Sequence, residues 1–327
     1  MHLLRFMLQE DRARFLELVA TADAVVENFR PGVMDRLSLG WESLRAARPS
    51  LVYCAISGFG QTGPMRNNPA YDQIVQGLSG IMSITGTPDI APLRVGYPVA
   101  DTLGGIVGAF AISSALVRQK TTGEGAFLDV SMLESVFSAL GWPVSNHLTA
   151  GVEPRAMGNE NMTAAPSGTF CTGDGPINIA ANKQEQFVTL CDLLGRPELA
   201  TDPRFSEREV RKVNRALLTP LVEEGLASAS AAEWEVRLNR AGVPAGRVLT
   251  IPQVLAEPQI VERGMTVSFD DVATPTGTLT VVRGGFTVDG QAPVPSRAPP
   301  RLDQHRDEIL AEIEAAREAL PRAAASR

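Results

Sequence analysis

One stretch organises this chain: Val95-Gly-Tyr-Pro-Val-Ala-Asp-Thr-Leu-Gly-Gly-Ile-Val-Gly-Ala-Phe-Ala-Ile-Ser-Ser-Ala-Leu-Val-Arg118. It places a lone carboxylate, Asp101, before a segment that carries no charge from Thr102 to Val117. Pro98 disfavours helix at the residue before it, and Asp is a good N-cap, so the pattern predicts a helix that starts at Asp101. A helix this apolar is a core helix or a membrane span, and about four turns are short for a bilayer. The stretch therefore predicts a buried core helix.

Three glycines, Gly104, Gly105 and Gly108, follow Asp101 at i+3, i+4 and i+7. They remove side chains from the helix face beside the carboxylate, although each glycine costs a helix about 1 kcal/mol relative to alanine. Two interpretations fit this pattern. Either Asp101 is a capping residue on a tightly packed helix, which is the commonest use of Asp at such a position, or the space beside it serves a ligand.

The bulk properties are those of an ordinary globular protein. The 327 residues exceed what one average core supports, so two lobes are expected. The formal net charge of -7 argues against nucleic acid as the main partner. The three cysteines form neither a disulfide framework nor a metal-ligand pattern, and they fit a cytoplasmic protein without a metal. The acidic N-terminus has no long apolar run, so neither a secretory signal nor a membrane partner is expected.

Helix and strand patterns alternate in the first half of the chain, which predicts an open α/β sheet. In such sheets ligands bind in loops beyond the carboxyl ends of the strands, so the loops Glu27–Gly32 and Gly58–Pro64 are candidate ligand loops. The predicted elements are, in order, helix Asp11–Thr21, strand 24–26, strand Leu51–Ser57, a helix at about 71–82, the Asp101 helix, strand Ala126–Ser131 and a helix from Met132 that ends at Pro143.

The alternation of helix and strand patterns gives way to a loop-rich stretch near residue 150. We expect a large lobe over 1–150, a smaller lobe over 151–264 and a C-terminal return to the large lobe over 265–327. The remaining predicted elements are strand 177–180, helices at about 183–194, 210–227 and 231–241, strand 279–282 and a charged helix from 303 to about 320, with a frayed tail after Pro321.

Four stretches, in their order and spacing, resemble the class III CoA-transferases, a group that includes formyl-CoA transferase and carnitine CoA-transferase. They are Ala22-Asp-Ala-Val-Val-Glu-Asn-Phe-Arg-Pro-Gly32, Ser57-Gly-Phe-Gly-Gln-Thr-Gly-Pro64, Ala70-Tyr-Asp72 with Ser79-Gly80, and Asp101 through Thr122-Gly-Glu-Gly125. The resemblance covers nearly the whole chain. It implies a Rossmann-like large lobe built from both chain ends, a smaller α+β lobe from the middle, and an interlocked homodimer.

The resemblance also implies a reaction. Asp101 matches the family's catalytic aspartate, whose carboxylate attacks an acyl-CoA thioester and carries CoA through anhydride and aspartyl-CoA intermediates. The implied partners are acyl-CoA, as a substrate and not a permanently bound cofactor, and a small carboxylic acid. Succinyl-CoA as donor and a dicarboxylate as acceptor are expected from family frequency alone. An apolar helix wall and missing glycine side chains suit a carboxylate nucleophile, which needs desolvation and no base.

Further positions match family residues that hold CoA, and some have a structural alternative. Gly58 and Gly60 either let backbone approach the ligand or only make a turn. Phe29 is either a surface for adenine or a core aromatic, and Arg36 can pair with a phosphate. Asp72 is either part of the CoA site or the N-cap of its own helix. The loop Met157–Asn161 occupies the position of a glycine-rich flap, and His147 and His305 are expected to be structural. The predicted CoA-binding residues are Asn28, Phe29, Arg36, Gly58, Gly60, Ala70, Tyr71 and Asp72.

The resemblance leads us to expect a strand, a helix and a strand that carry part of the CoA site before residue 1, and the sequence does not contain them. Either the true start lies upstream, or the protein has lost a strand and part of its cofactor pocket. Three hypotheses therefore stay open. The first is a CoA-transferase. The second is an α-methylacyl-CoA racemase of the same fold, in which a histidine stands where this chain has Tyr71. The third is a truncated, inactive family member.

Overall fold

The computed structural model describes residues 4–270 and 272–319. The chain divides into two compact units, Met1–Ala156 with Pro299–Arg327, and Met157–Ala298. The first unit is thus built from both chain ends, and the chain returns to it at Pro299, later than the expected return at 265. The tail predicted to fray after Pro321 lies outside the described residues.

The first unit alternates helices and strands, as predicted. The helix predicted to end at Pro143 is instead two helices, and Pro143 lies in the first turn of the second, where its missing N–H costs nothing. The elements up to residue 150 are α1 Gln9–Thr21, β1 Ala24–Glu27, α2 Val33–Arg36, α3 Trp41–Ala47, β2 Val52–Ser57, α4 Asp72–Ser79, a 3-10 turn Ile81–Ile84, α5 Val99–Thr122, β3 Ala126–Ser131, α6 Met132–Ala139 and α7 Gly141–Ala150.

The sheet of the first unit is parallel, with strand order β1-β2-β3. Val52 pairs with both Ala24 and Ala126, so the three strands start in register. The central strand β2 is almost completely buried, as expected for a strand covered on both faces. The carboxyl ends of the three strands meet at one edge, and the loops after β1 and β2 leave from that edge.

Two predictions about α5 are wrong. The helix begins at Val99 and not at Asp101, because Pro98 takes the N-cap position and Asp101 is the third helical residue. The helix is also not buried on all sides, since Ile106, Phe110 and Val117 are mostly exposed. By length and composition α5 passes as a membrane span. One face nevertheless packs on the sheet, which a helix of an α/β unit must do.

Glycines allow that packing. A Cβ atom on Gly104 would lie 3.1 Å from Met132 Cγ, and one on Gly108 would lie 3.0 Å from Ile56 Cδ1. Both glycines therefore bring α5 close to β2 and to the start of α6. Gly105 differs, because a Cβ atom there would meet nothing within 4 Å. The three glycines thus serve two purposes: two of them serve packing, and one leaves open space.

The second unit has a continuous apolar core that includes Phe187, Phe205, Trp234 and Leu238. The helix predicted over 210–227 is interrupted at Asn214, which separates two helices. Three of its strands are missing from the predictions. From residue 167 onward the elements are β4 Ser167–Cys171, β5 Pro176–Ala180, α8 Gln184–Leu193, α9 Arg208–Val213, α10 Arg215–Leu226, α11 Ala231–Arg240, β6 Ala245–Arg247, α12 Ile251–Ala256, α13 Pro258–Glu262, β7 Thr266–Phe269, β8 Leu279–Val282 and, back in the first unit, α14 Arg306–Ala319.

The missed strands are short or weakly patterned, and each is antiparallel to its neighbour. β4 and β6 pair with the two sides of β5, and β7 pairs with β8. β6 is only three residues long and contains Gly246, which weakens a strand pattern. Tertiary pairing, and not local propensity, makes these segments strands.

Candidate active site

A cavity of about 550 Å³ opens at the carboxyl edge of the parallel sheet. The loops after β1 and β2, the segment before α4 and the first turns of α5 and α6 form its wall. Asp101 is the single carboxylate among the described residues that line it. The lining residues are Asn28, Phe29, Arg30, Pro31, Ile56, Ser57, Gly58, Phe59, Arg66, Asn68, Ala70, Tyr71, Asp101, Gly105 and Met132.

The loop after β1 is held by its own side chains. Asn28 Nδ2 donates to the carbonyl oxygen of Ile56 at 2.7 Å, which ties this loop to the end of β2. The N–H of Phe29 donates to Glu27 Oε2 at 2.6 Å, although burial raises the pKa of Glu27. With its backbone fixed in this way, Phe29 presents a ring that is 45% exposed toward the cavity. Phe29 is therefore not a core aromatic.

The loop after β2 is tightly folded. A Cβ atom on Gly58 would collide with the Cβ of Ala70, so only glycine fits there. Gly60 has φ +85°, a conformation that other residues rarely adopt. The N–H of Gln61 donates to both carboxylate oxygens of Asp129 at 3.0 Å, which fixes the loop to β3. Gly58 lines the cavity, whereas Gly60 shapes the turn behind it.

Asp101 lies in the first turn of α5 and is exposed toward the cavity. Its pKa is raised, first because its surroundings partly desolvate the carboxylate and second because the charge of Asp72 is nearby. Gly105, one helical turn further along, lines the same cavity and has no neighbour at its missing side chain. The helix thus leaves open space directly beside its one carboxylate.

Asp72 is the first residue of α4 and does not cap that helix, since the N-cap position is Tyr71. Its Oδ1 instead accepts the N–H of Ala100 in the first turn of α5, at 2.8 Å. Its Oδ2 accepts from Gln76 Nε2 at 2.6 Å. Asp72 therefore caps α5 and not its own helix, α4, because the fold brings the starts of these two helices together.

The cavity collects six of the nine predicted site residues. They are Asn28, Phe29, Gly58, Ala70, Tyr71 and Asp101. Arg36, Gly60 and Asp72 do not line it. The exposed Arg36 side chain instead lies beside Gly32, where Nη1 is 3.4 Å from the position of a Cβ atom.

Two arginines that the sequence predictions missed, Arg30 and Arg66, line the cavity. Neither side chain has a hydrogen-bond or ion-pair partner within the described residues. A signal for both was present, because Arg30 lies inside the loop after β1 and Arg66 closely follows the glycine-rich loop after β2. Two arginines and one aspartate make the lining suitable for an anionic ligand.

His147 and His305 do not line this cavity. His147 Nδ1 is 3.3 Å from the carbonyl oxygen of Val152, and His305 directly precedes α14. Within residues 4–270 and 272–319, no group of three or more metal-ligating side chains is present. The predicted flap Met157–Asn161 belongs to the second unit, where Asn159, Glu160 and Asn161 line a separate cavity of about 590 Å³.

A parallel sheet with a cavity at its carboxyl edge, where the described lining residues include one carboxylate and two arginines, is the architecture of an α/β protein with a candidate ligand site at that edge. The chain belongs to CoA-transferase family III, whose model matches residues 3–306, and it is an enzyme of that class. The fold is similar to the crystal structure of a CAIB/BAIF family protein from Brucella suis, with a TM-score of 0.82 and 37% identity over 95% of this chain and 80% of that one.

Curated relatives agree with the family. An acetyl-CoA:oxalate CoA-transferase from Acetobacter aceti is 42% identical over 81% of this chain and 68% of its own length. A succinate–glutarate CoA-transferase from Agrobacterium fabrum is 35% identical over 91% of this chain and 74% of its own length. The predicted resemblance to CoA-transferases is therefore confirmed.

Proposed function

We propose that this enzyme moves CoA from an acyl-CoA to a carboxylic acid through covalent intermediates on Asp101. The observation that supports this proposal is the position of Asp101: among the described residues it is the one carboxylate lining the cavity, and Gly105 leaves open space beside it. A thioester carbonyl needs such space to approach a carboxylate oxygen.

The reaction proceeds in four balanced steps. A carboxylate oxygen of Asp101 attacks the thioester carbonyl, and the C–S bond breaks to give a mixed anhydride and CoA thiolate. The thiolate attacks the aspartyl carbonyl and releases the donor as its carboxylate. The acceptor carboxylate attacks the aspartyl-CoA thioester to form a second anhydride and free thiolate. The thiolate then attacks the acceptor's acyl carbonyl, which yields the new acyl-CoA and regenerates Asp101.

The attacking group must be ionised, and no base is required. Since partial burial and Asp72 raise the pKa of Asp101, the protonated form persists to a higher pH than for an ordinary aspartate. We therefore expect kcat/KM to fall as the pH drops through this raised pKa, so the acid limb lies above the usual aspartate value of about 3.9. A limb at or below that value would contradict the proposed environment.

The CoA moiety is held by the loops at the carboxyl edge of the sheet. Phe29 offers an exposed ring for the adenine, and the tight loop at Gly58 lets backbone approach the ligand. Arginine side chains bind the phosphates of CoA. Arg30 and Arg66 are better placed for this than Arg36, because they line the cavity and Arg36 does not. Of the residues predicted to bind CoA, Asn28, Phe29, Gly58, Ala70 and Tyr71 line the cavity and are proposed to contact CoA together with Arg30 and Arg66, whereas Arg36, Gly60 and Asp72 do not line it.

The acceptor is a small dicarboxylate. The curated relatives described above are named for oxalate, succinate and glutarate, all of which are dicarboxylates. An arginine in the cavity that is not used by CoA phosphates can pair with the second carboxylate of such an acid. A panel of monocarboxylic and dicarboxylic acids, each assayed with succinyl-CoA and acetyl-CoA by mass spectrometry, tests this choice.

The working form is an interlocked homodimer in the cytoplasm. Ile106, Phe110 and Val117 lie on one face of α5 and are 60%, 74% and 67% exposed in the single chain. An apolar stripe of this kind marks a surface that another chain covers. The alternative occupant is a lipid bilayer, and sedimentation of the purified protein without detergent separates the two.

The central experiment traps CoA on Asp101. The protein is incubated with an acyl-CoA, and intact mass detects the CoA thioester adduct directly. In a parallel sample, hydroxylamine converts the aspartyl thioester to a hydroxamate, or borohydride reduces it to an alcohol, with release of CoA in either case, and peptide mapping of this mark locates the modified residue. Asp101→Asn should form no adduct, and its kcat should fall at least about 10³-fold. Asp89→Asn, an exposed aspartate of the same unit that does not line the cavity, is the matched control and should keep both. Transfer at the parent rate by Asp101→Asn would refute the proposal.

A racemase of the same fold is the second candidate. It would exchange the α-proton of a 2-methylacyl-CoA with solvent deuterium, which requires a base on each face of the α-carbon. Tyr71, which is 78% exposed at the cavity, stands where such racemases have a histidine, and the described residues that line the cavity include no imidazole to act as that base. Deuterium incorporation without CoA transfer would favour the racemase, and the absence of both reactions would favour an inactive family member.

A further inference from the structure

Gln76 is a polar side chain in the interior of the first unit. It lies on α4 and is completely buried, in a layer where Val75, Ala100 and Val136 form an apolar cluster. A buried amide is costly unless its donors and acceptor are satisfied. The bonds that satisfy Gln76 all lead toward the start of α5.

The amide of Gln76 both accepts and donates hydrogen bonds. Its Oε1 accepts the N–H of Val95 at 2.9 Å, which fixes the segment that precedes α5. Its Nε2 donates to Asp72 Oδ2 at 2.6 Å and lies 3.4 Å from the carbonyl oxygen of Tyr97. One side chain therefore contacts two points before α5 and the carboxylate that caps α5.

The cap itself comes from outside α5. Pro98 occupies the N-cap position and has no side-chain oxygen, so the free N–H groups of the first turn need another acceptor. Asp72 Oδ1 accepts one of them, the N–H of Ala100, which immediately precedes Asp101. Gln76 and Asp72 thus form a two-residue clamp, defined by these four hydrogen bonds, on the turn that carries Asp101.

We propose that Gln76 is a positioning residue for Asp101, because its amide orients Asp72 and thereby sets the first turn of α5 relative to the cavity. The inference rests on the proposed function of Asp101 as the nucleophile. Gln76 itself does not line the cavity and touches no substrate. Its effect on catalysis passes through Asp72 and Ala100.

The clamp requires a group that accepts from Val95 and donates to Asp72 at the same time. A carboxylate at position 76 would accept from Val95 but would face the Asp72 carboxylate, so the pair should keep one shared proton at low pH and lose it at high pH, where the two like charges repel each other. A protonated carboxyl would restore one donor and one acceptor. Gln76→Glu should therefore work at low pH and fail at high pH.

Few other charged groups can disturb this titration. On the segments around Gln76, namely α4, the 3-10 turn, residues 85–98, α5 and α6, the titratable or charged side chains are Asp72, Asp89, Arg94, Tyr97, Asp101, Arg118, Lys120 and Glu134. Arg118 and Lys120 lie at the far end of α5, more than four helical turns from Asp101. Asp72 is the carboxylate that contacts Gln76 directly.

The test compares the pH profiles of kcat/KM between pH 5.5 and 8.5. At pH 8.5, Gln76→Glu should be about tenfold to a hundredfold slower than the parent, because small misplacements of a reacting group cost this much. At pH 5.5 the two should converge to within about threefold. Gln119→Glu is the matched control: this buried amide at the far end of α5 donates only to the carbonyl oxygens of Asp23 and Ser50, and its profile should stay parallel to the parent.

A parallel profile for Gln76→Glu would overturn the inference. If Gln76→Glu does not fold, the double variant Asp72→Asn with Gln76→Glu decides, since the new amide donates to the new carboxylate. This pair should fold and show a transfer rate without the pH-dependent loss, whereas a folded but inactive pair would also overturn the inference. Trapping of CoA on the parent Asp101 is measured in parallel. A missing adduct refutes the proposed function, whereas a normal adduct with parallel profiles refutes only the role of Gln76.

Discussion

The two units of this chain bury their apolar side chains in different ways. The second unit has one continuous core that joins β4, β5 and β6 to α8, α10 and α11 around Trp234 and Phe187. The first unit has two smaller clusters, one under α1 and α3 and one between α4, α5 and α6. It also leaves the face of α5 around Phe110 exposed.

The difference follows from what the first unit contains. Its loops at the carboxyl edge of the sheet carry polar groups, glycines and two unpaired arginines around a cavity, and none of these groups adds to an apolar core. We expect the second unit to be stable by itself, whereas a bound ligand and the second chain of the proposed dimer would stabilise the first. Four measurements test this difference between the two units.

The largest effect is expected from truncating the core of the second unit. Leu190 is completely buried on α8, and Leu190→Ala should cost about 2–5 kcal/mol of unfolding free energy through lost burial and a cavity. Leu193→Ala, the same change on the same helix at a residue that is 37% exposed, should cost markedly less. Urea unfolding followed by far-UV circular dichroism measures both, and equal costs would show that this core is not tightly packed.

A charge on the exposed face of α5 should separate the chains of the proposed dimer. Phe110→Asp removes a large apolar surface and places a carboxylate in the interface, so the dissociation constant should rise at least about 100-fold, or about 2.7 kcal/mol. Phe286→Asp, at a phenylalanine of the second unit that is 59% exposed, is the control. Sedimentation velocity reads the result. A parent protein that is monomeric at micromolar concentration would contradict the interface.

Adding one methyl group beside Asp101 should affect catalysis without affecting folding. Gly105→Ala meets no atom within 4 Å and favours helix, so thermal stability should hold or rise, while kcat/KM should fall about tenfold, or 1.4 kcal/mol, because the methyl fills the cavity. Gly77→Ala on α4, away from the cavity, should leave the rate unchanged. Unchanged kcat/KM in Gly105→Ala would mean that the thioester approaches Asp101 from another side.

The smallest expected effect is a difference in the urea concentration at which the two units unfold. Cys54 in the first unit and Cys191 in the second are both buried, and burial raises their pKa to about 11 and about 12. In native buffer at pH 8 only the exposed Cys171 should be alkylated. In rising urea, pulsed alkylation should label Cys54 before Cys191, because the first unit has the less continuous core. Simultaneous labelling would indicate that the units unfold together.

Much of the first unit was predictable from local pattern. β3 has the predicted bounds, and β1, β2 and α1 lie within one or two residues of theirs, because a short apolar run or an amphipathic period is visible in a few neighbouring residues. The second unit was less predictable, since β4, β6 and β7 are short strands that exist through pairing with distant segments. The glycines around Asp101 were recognised, but their division between packing and open space was not.

The sequence by itself determined the family, the alternation of helix and strand, and the identity of the one acid that the cavity exposes, because these depend on residues that are close together in the chain or on motif order. Only the tertiary structure decided that α5 begins at Val99, that Asp72 caps α5, and that Arg30 and Arg66 share the cavity with Asp101. The last two features join groups separated by 28 or more residues, as Asp72 and Ala100 are. Hydrogen bonds and charges act over a few ångströms in space, so no local pattern records which distant partners the fold will bring together.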